Sequence, residues 1–158
     1  MEIKFIVDNN VGRLAKWLRI MGYDAILFPG DDDGEMVKIA LAQGRVILTK
    51  DNQIMNRRLV TTGRLKALLI KDDDIKSQLR QVIAAFNLDY HYKPFSRCLE
   101  CNQILVDREK ATVEGLVPPY VYRTQELYME CPSCHRLYWR GTHWKAMSRE
   151  LDKMAKGN

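Results

Sequence analysis

Short apolar runs that stop at an acid alternate with segments of helical periodicity over residues 1–90. Ile3 to Val7 is apolar and β-branched and ends on Asp8, as a buried parallel strand does when it delivers its carboxyl end to a loop. Asn9 or Asn10 can then cap a helix. In that helix Leu14, Trp17, Leu18 and Met21 recur at helical spacing, Arg13, Lys16 and Arg19 lie mainly on other faces, and Gly22 ends it. Ala25 to Phe28 reads as a second strand, followed by a polar turn from Pro29 to Gly34. A second helix, from Asp33 or Gly34 to Gln43, takes a broad apolar face from Met36, Val37, Ile39, Ala40 and Leu41. Val46 to Leu48 repeats the opening pattern and leads to Asp51. Ile54, Leu59 and Val60 suggest a short helix, Ala67 to Ile70 a fourth strand before Asp72, Asp73 and Asp74, and Ile75 to Phe86 a further helix. This alternation predicts an α/β layer with parallel strands and right-handed crossovers, not an all-β or bundle fold.

From Pro94 the texture changes, and a boundary is expected near Asn87 to Ser96, dividing residues 1–90 from residues 91–158. Cys98 and Cys101 open one knuckle and Cys131 and Cys134 another, while the long insert between them alternates short β-type runs with Gly and Pro. Two Cys-x-x-Cys turns can bring four thiolates tetrahedrally around zinc, on a ribbon built from β-hairpins. Two disulfides or a redox pair are the alternative, disfavoured because neither pair follows a βαβ-type strand. Four Cys ligands leave no open position for water or substrate, so the zinc role is structural. His135 and His143 are not needed as ligands.

Composition narrows the class. An apolar fraction of 46% and a charged fraction of 28% indicate a packed chain, not a disordered tail or a fibrous repeat. No apolar run approaches the roughly 20 residues that span a bilayer, and Met1 to Val7 is interrupted by Asp8 too soon for a secretory signal, so no membrane is expected and the compartment is expected to be the cytoplasm. A formal charge of +5 permits a polyanionic partner without naming one.

Asp8, Asp51 and the group containing Asp33 and Glu35 lie at expected strand ends or before a helix. In a parallel sheet those ends share one edge, where distant carboxylates converge. Such acids repel one another unless a cation compensates them, and magnesium or manganese accepts hard oxygen ligands while retaining waters. That assembly suits phosphodiester hydrolysis. Asp8 is the expected central metal ligand, Asp51 its partner, Asp33 or Glu35 the outer ligand, and Asp72 a weaker candidate. Taken singly, each has an ordinary alternative: Asp33 and Asp51 as helix caps, Asp72 to Asp74 as a solvated helix start.

Cations complete the set. Arg13 and Lys16 on the first helix, with Lys50, Arg57 and Arg58 near the third strand end, are placed to contact a nucleic-acid backbone. Around the second knuckle Arg136, Tyr138, Trp139, Arg140, His143 and Trp144 interleave charge and rings, a surface suited to phosphates and unpaired bases. The competing use of Tyr138 and Trp139 is to pack the ribbon against the first domain.

Phe5-Ile6-Val7-Asp8 with Gly12-Arg13-Leu14-Ala15-Lys16-Trp17-Leu18-Arg19, Val46-Ile47-Leu48-Thr49-Lys50-Asp51, the two Cys pairs and Tyr138-Trp139-Arg140-Gly141-Thr142-His143 together carry a resemblance. The chain resembles the PIN-like nuclease domain with a C-terminal zinc ribbon found at the C-terminus of mut-seven exonucleases and as small stand-alone prokaryotic proteins. The resemblance implies a three-layer PIN-like α/β fold with a mostly parallel central sheet, followed by a small β zinc ribbon and a helical tail. It also implies a metal-dependent ribonuclease. The strand-one acid of the family falls on Asp8 and the acid of its apolar-apolar-Thr-x-Asp motif on Asp51; its acid at the second helix falls on Asp33, with Glu35 as rival. A fourth acid has no clear match beyond Asp72. The implied partner is RNA, single-stranded, with a protein partner or a second copy of the chain also open. The alternative is a noncatalytic RNA-binding or toxin-like regulatory module on the same fold.

Overall fold

The computed structural model describes residues 2–156. Four strands, β1 (Lys4–Asp8), β2 (Asp24–Phe28), β3 (Val46–Thr49) and β4 (Ala67–Leu69), form a sheet in the order β2-β1-β3-β4, every pairing parallel. The register sets Asp8 beside Phe28 and Thr49 beside Leu69, so the carboxyl ends share one edge, and pairs Lys4 with Asp24 at the opposite edge. This is the α/β parallel arrangement that the alternation of apolar runs and helical periods predicts.

Alternation along the strands supplies the sheet with two cores. Phe5, Val7, Val46 and Leu48 face a cluster shared with α1 (Arg13–Met21) and α5 (Ile75–Phe86). Ile6 and Ile47 face the other side, packing with Met36, Val37 and Ala40 of α2 (Asp33–Gln43) and with Ile54 of α3 (Asn52–Met55). The layers are therefore helix, sheet, helix.

Local chemistry departs from the sequence reading in detail. A 3-10 turn, Asn9–Val11, precedes α1, and Gly12, not Asn9 or Asn10, occupies its N-cap position. The cap of α2 is Asp32, whose carboxylate accepts from the Glu35 N–H; this leaves Asp33 inside the first turn. The single helix expected after Asp51 is two short ones, α3 and α4 (Arg58–Thr61). Arg19, expected on a polar face, is 8% exposed.

The second module is a three-stranded antiparallel sheet, β5 (Val106–Arg108), β6 (Tyr128–Glu130) and β7 (Leu137–Tyr138), in the order β5-β6-β7. Its insert also carries α6 (Pro119–Thr124), whose Val121 packs with Val113, Val117 and Tyr128. The chain ends its described course in α7 (Thr142–Ala155), which returns to the first layer: Leu151 and Met154 join the α1/α5 core, and Arg80 Nε donates to the Met154 carbonyl at 2.8 Å.

Candidate functional site

The carboxyl edge of the parallel sheet gathers three of the sequence-predicted acids. Asp8, at the end of β1, is 6% exposed, and its Oδ2 accepts from Thr49 Oγ1 at 2.7 Å. Thr49 is fully buried, and the same hydroxyl accepts from the Asp51 N–H at 3.0 Å, so one side chain ties the ends of β1 and β3 together. Asp51 caps α3, with Oδ1 accepting from the Gln53 N–H at 2.8 Å. Asp33 reaches across from α2 to share a hydrogen bond with the Asp51 carboxyl. That bond, partial burial and the nearby charges of Asp51 and Asp8 push the Asp33 carboxyl up to about 6, with Arg57 opposing the shift.

The other predicted acids stand apart. Glu35 is exposed, one turn from Asp32. Asp72 is exposed; its carbonyl takes the Gln78 amide at 2.9 Å, and the neighbouring Asp73 pairs with Lys50. Asn10 Oδ1 accepts from the Lys50 N–H at 3.3 Å, a further tie between the β1 and β3 ends. Among the described residues, the acids do not draw three carboxylate oxygens within 4.8 Å of one another; the thiols of the second module do.

There Cys98, Cys101, Cys131 and Cys134 place their sulfurs within 4.8 Å of one another, and all four are free thiols. This is a cluster able to hold structural zinc, with no fifth protein donor required. Backbone N–H groups of both knuckles point at the sulfurs: Cys101 N at 3.4 Å from Cys98 Sγ, and Ser133 N at 3.4 Å from Cys131 Sγ. The Arg136 N–H draws the Cys134 thiol down to about 6, and a hydrogen bond to Cys134 pushes Cys101 up to about 12.

The match that decides the family covers nearly the whole of this arrangement: the model of the Mut7-C RNAse domain matches residues 3–151. The chain belongs to the Mut7-C RNAse domain family. No curated protein and no solved structure matches it at a significant level. The matched Mut7-C residues include both the acidic edge and the four-cysteine cluster, so the two modules form one family unit and not a nuclease-type domain with an unrelated appendage.

Within this Mut7-C chain the predicted nucleic-acid residues divide by environment. Arg13, Lys16, Arg57, Arg58, Arg136, Arg140 and His143 are exposed, and Lys50 is partly shielded against Asp73. The rings are more committed. Tyr138 Oη sits 3.1 Å from Cys98 Sγ and accepts from the Leu99 N–H at 3.1 Å, which binds the phenol to the thiol cluster. Trp139 packs near Tyr128, with ring centroids 6.4 Å apart. Trp144 lies against Phe95 at 4.4 Å, and Arg140 covers its face at 5.1 Å.

Sequence reasoning missed the residues that fasten the modules together. Arg19 Nη1 donates to the Leu99 carbonyl at 2.7 Å and its Nε to the Ala25 carbonyl at 2.9 Å, so an α1 side chain grips the first knuckle and β2 at once. Asn102 accepts from the Ala25 N–H at 3.1 Å and donates to Asp24 Oδ1 at 2.7 Å. Burial by itself would raise the Asp24 carboxyl, but the Arg45 and Asn102 hydrogen bonds outweigh it and hold Asp24 below its ordinary value. Only the Cys-x-x-Cys-Asn run hinted at this, since a residue just past such a turn is a natural left-handed position, and Asn102 has φ 68°.

Proposed function

We propose that the chain is a divalent-metal-dependent ribonuclease that hydrolyses RNA phosphodiester bonds at the carboxyl edge of its parallel sheet, with the zinc ribbon aiding substrate binding or stability. The observation that carries this reading is the crowding of Asp33 against Asp51 beside the buried Asp8, which lifts one carboxyl to about 6. Carboxylates brought together at one edge are a donor set of hard oxygens, which fits magnesium or manganese. Asp8 and Asp51 would hold the ion, with Asp33 as the outer ligand.

A divalent ion bound there supplies charge neutralisation and polarisation of the phosphoryl oxygens and attacking water. The protein's part is positional. Thr49 fixes the Asp8 carboxylate and the Asp51 backbone in one hydrogen-bonded unit. The cap bond to Gln53 orients the Asp51 carboxylate and restrains its rotation. Arg57, close enough to act on Asp33, and the exposed Arg13 are placed to meet phosphate charge.

The test is cleavage of single-stranded RNA with and without magnesium or manganese. Asp8→Asn and Asp51→Asn are each expected to lower cleavage by about 100-fold or more while zinc content and thermal unfolding stay near those of the parent chain. A second reading, a noncatalytic RNA-binding or toxin-like regulatory module, draws on the exposed position of Asp72, which leaves the acidic group at three. Binding without cleavage across several RNAs and both ions would establish that reading instead.

A further inference from the structure

The ribbon is anchored at the sheet edge opposite the acids. Asn102 bonds Ala25 and Asp24 at the start of β2, and the linker N–H groups of Lys93 and Phe95 donate to the carbonyls of Met21 and Ile20 at the end of α1, at 3.0 and 3.1 Å. Asp8 lies at the far end of the neighbouring strand, level with Phe28. A substrate held by the ribbon therefore has to travel the length of α1 to reach the acids.

The surface along that route is built for an anionic strand with flat rings. A cleft of about 390 Å³ opens between α1, α6, the second knuckle and the start of α7, with Lys16, Tyr120, Arg136, His143 and Trp144 in its lining and Glu100 as its one carboxylate among the described residues. Tyr120 is 64% exposed, so its ring is open to solvent at the mouth of the cleft. Arg136 leans on Cys134, so the uncommitted cation of the lining is Lys16, while Arg140 stands over the Trp144 face outside the lining. The Trp144 indole N–H is shielded from solvent and has no hydrogen-bond partner among the described residues. From Lys16 the exposed cationic line continues one turn up α1 to Arg13, which follows the loop after Asp8.

We infer that a single RNA strand runs from the cleft at Tyr120 and Trp144 along Lys16 and Arg13 to the acidic edge, so that the ribbon acts only on RNA long enough to span both. This rests on the ribonuclease reading for the end point of the route. From Ile20, beside the Phe95–Trp144 ring pair, to Arg13 the helix rises about 10 Å, the length of about three stacked nucleotides. With one nucleotide seated at each end, the threshold falls at about five.

The experiment uses the zinc-loaded full chain carrying Asp8→Asn, and measures binding of labelled oligouridylates of three, five and eight nucleotides. Affinity is expected to step up by about tenfold between three and eight. Tyr120→Ala and Lys16→Glu, both at exposed positions, are expected to weaken the eight-nucleotide RNA by about fivefold or more and to flatten the step in affinity between three and eight nucleotides. Trp144→Ala is the stronger but riskier variant, because its ring also packs on Phe95. Equal effects at both lengths, no effect at either, or a cleft instead covered in a dimer that Tyr120→Ala dissociates would each overturn the route. Cleavage by the parent chain is scored separately: if no length is cut, the ribonuclease reading fails, while the length step in binding still decides the path.

Discussion

At the scale of the residue, the site turns on a hydroxyl. Thr49 Oγ1 serves Asp8 as donor and Asp51 as acceptor, and it is buried, so water cannot replace it in either role. Thr49→Val keeps the shape and removes both bonds. Cleavage is expected to fall by about 10- to 100-fold and stability by about 1 to 3 kcal/mol. Thr49→Ser should restore most of the activity, and parallel kinetic and urea-unfolding measurements separate the two effects. Asp33 makes a second prediction. Its folded pKa, about 6, lies above the ordinary 3.8, so the folded chain holds more protons across that interval. The resulting stability is fully present below the lower value and is lost as pH rises through the upper one. A metal-free sample is therefore expected to melt at lower temperature at about pH 7 than at about pH 5, and Asp33→Asn should flatten that dependence. Identical pH profiles for the two proteins would contradict the crowding. That Asp8 and Asp51 share one edge of the sheet was readable in sequence, because each follows an apolar strand run. The choice of Asp33 over Glu35 was not, because it depends on Asp32 taking the cap and turning its neighbour toward Asp51.

At the scale of the element, α1 is the hinge between what the sequence shows and what it hides. Its apolar face was legible from Leu14, Leu18 and Met21, and the α5 span Ile75–Phe86 was legible to the residue. Arg19 was not, because a charged side chain on the second face of a helix looks solvated until carbonyls from about eighty residues away arrive to meet it. Its replacement by Met should lower stability by about 3 kcal/mol, the cost of leaving charge-assisted acceptors without a donor, read from the urea midpoint. Gly22 closes the same helix with φ 99°, and a Cβ there would run into the Lys93 carbonyl. Gly22→Ala therefore both strains the backbone and pushes the linker off α1. A loss of about 3 kcal/mol or more is expected, against about 1 to 2 kcal/mol for Gly63→Ala, whose surroundings are open and where only the positive φ is strained.

At the scale of the whole molecule, the thiol cluster and the sheet are mechanically joined. Tyr138 links Cys98 to the Leu99 N–H, Arg19 holds the Leu99 carbonyl, and Asn102 reaches β2. Zinc removal by a chelator, or Cys98→Ser, is expected to speed hydrogen exchange in the ribbon and also at Ala25, while Ile47 in the middle of the sheet keeps its protection. Uniform exchange at Ala25 with and without zinc would show the modules to be independent. The pattern of two Cys pairs revealed the cluster itself, but the docking partners are scattered over α1, β2 and the linker and carry no periodic signal. The return of α7 has a consequence of its own. Leu151 and Met154 finish the layer begun by α1 and α5, yet they are translated only after the entire ribbon. During synthesis the opening half of the chain therefore emerges with one apolar flank bare, and has to wait, exposed to chaperones, until the segment that covers it leaves the ribosome.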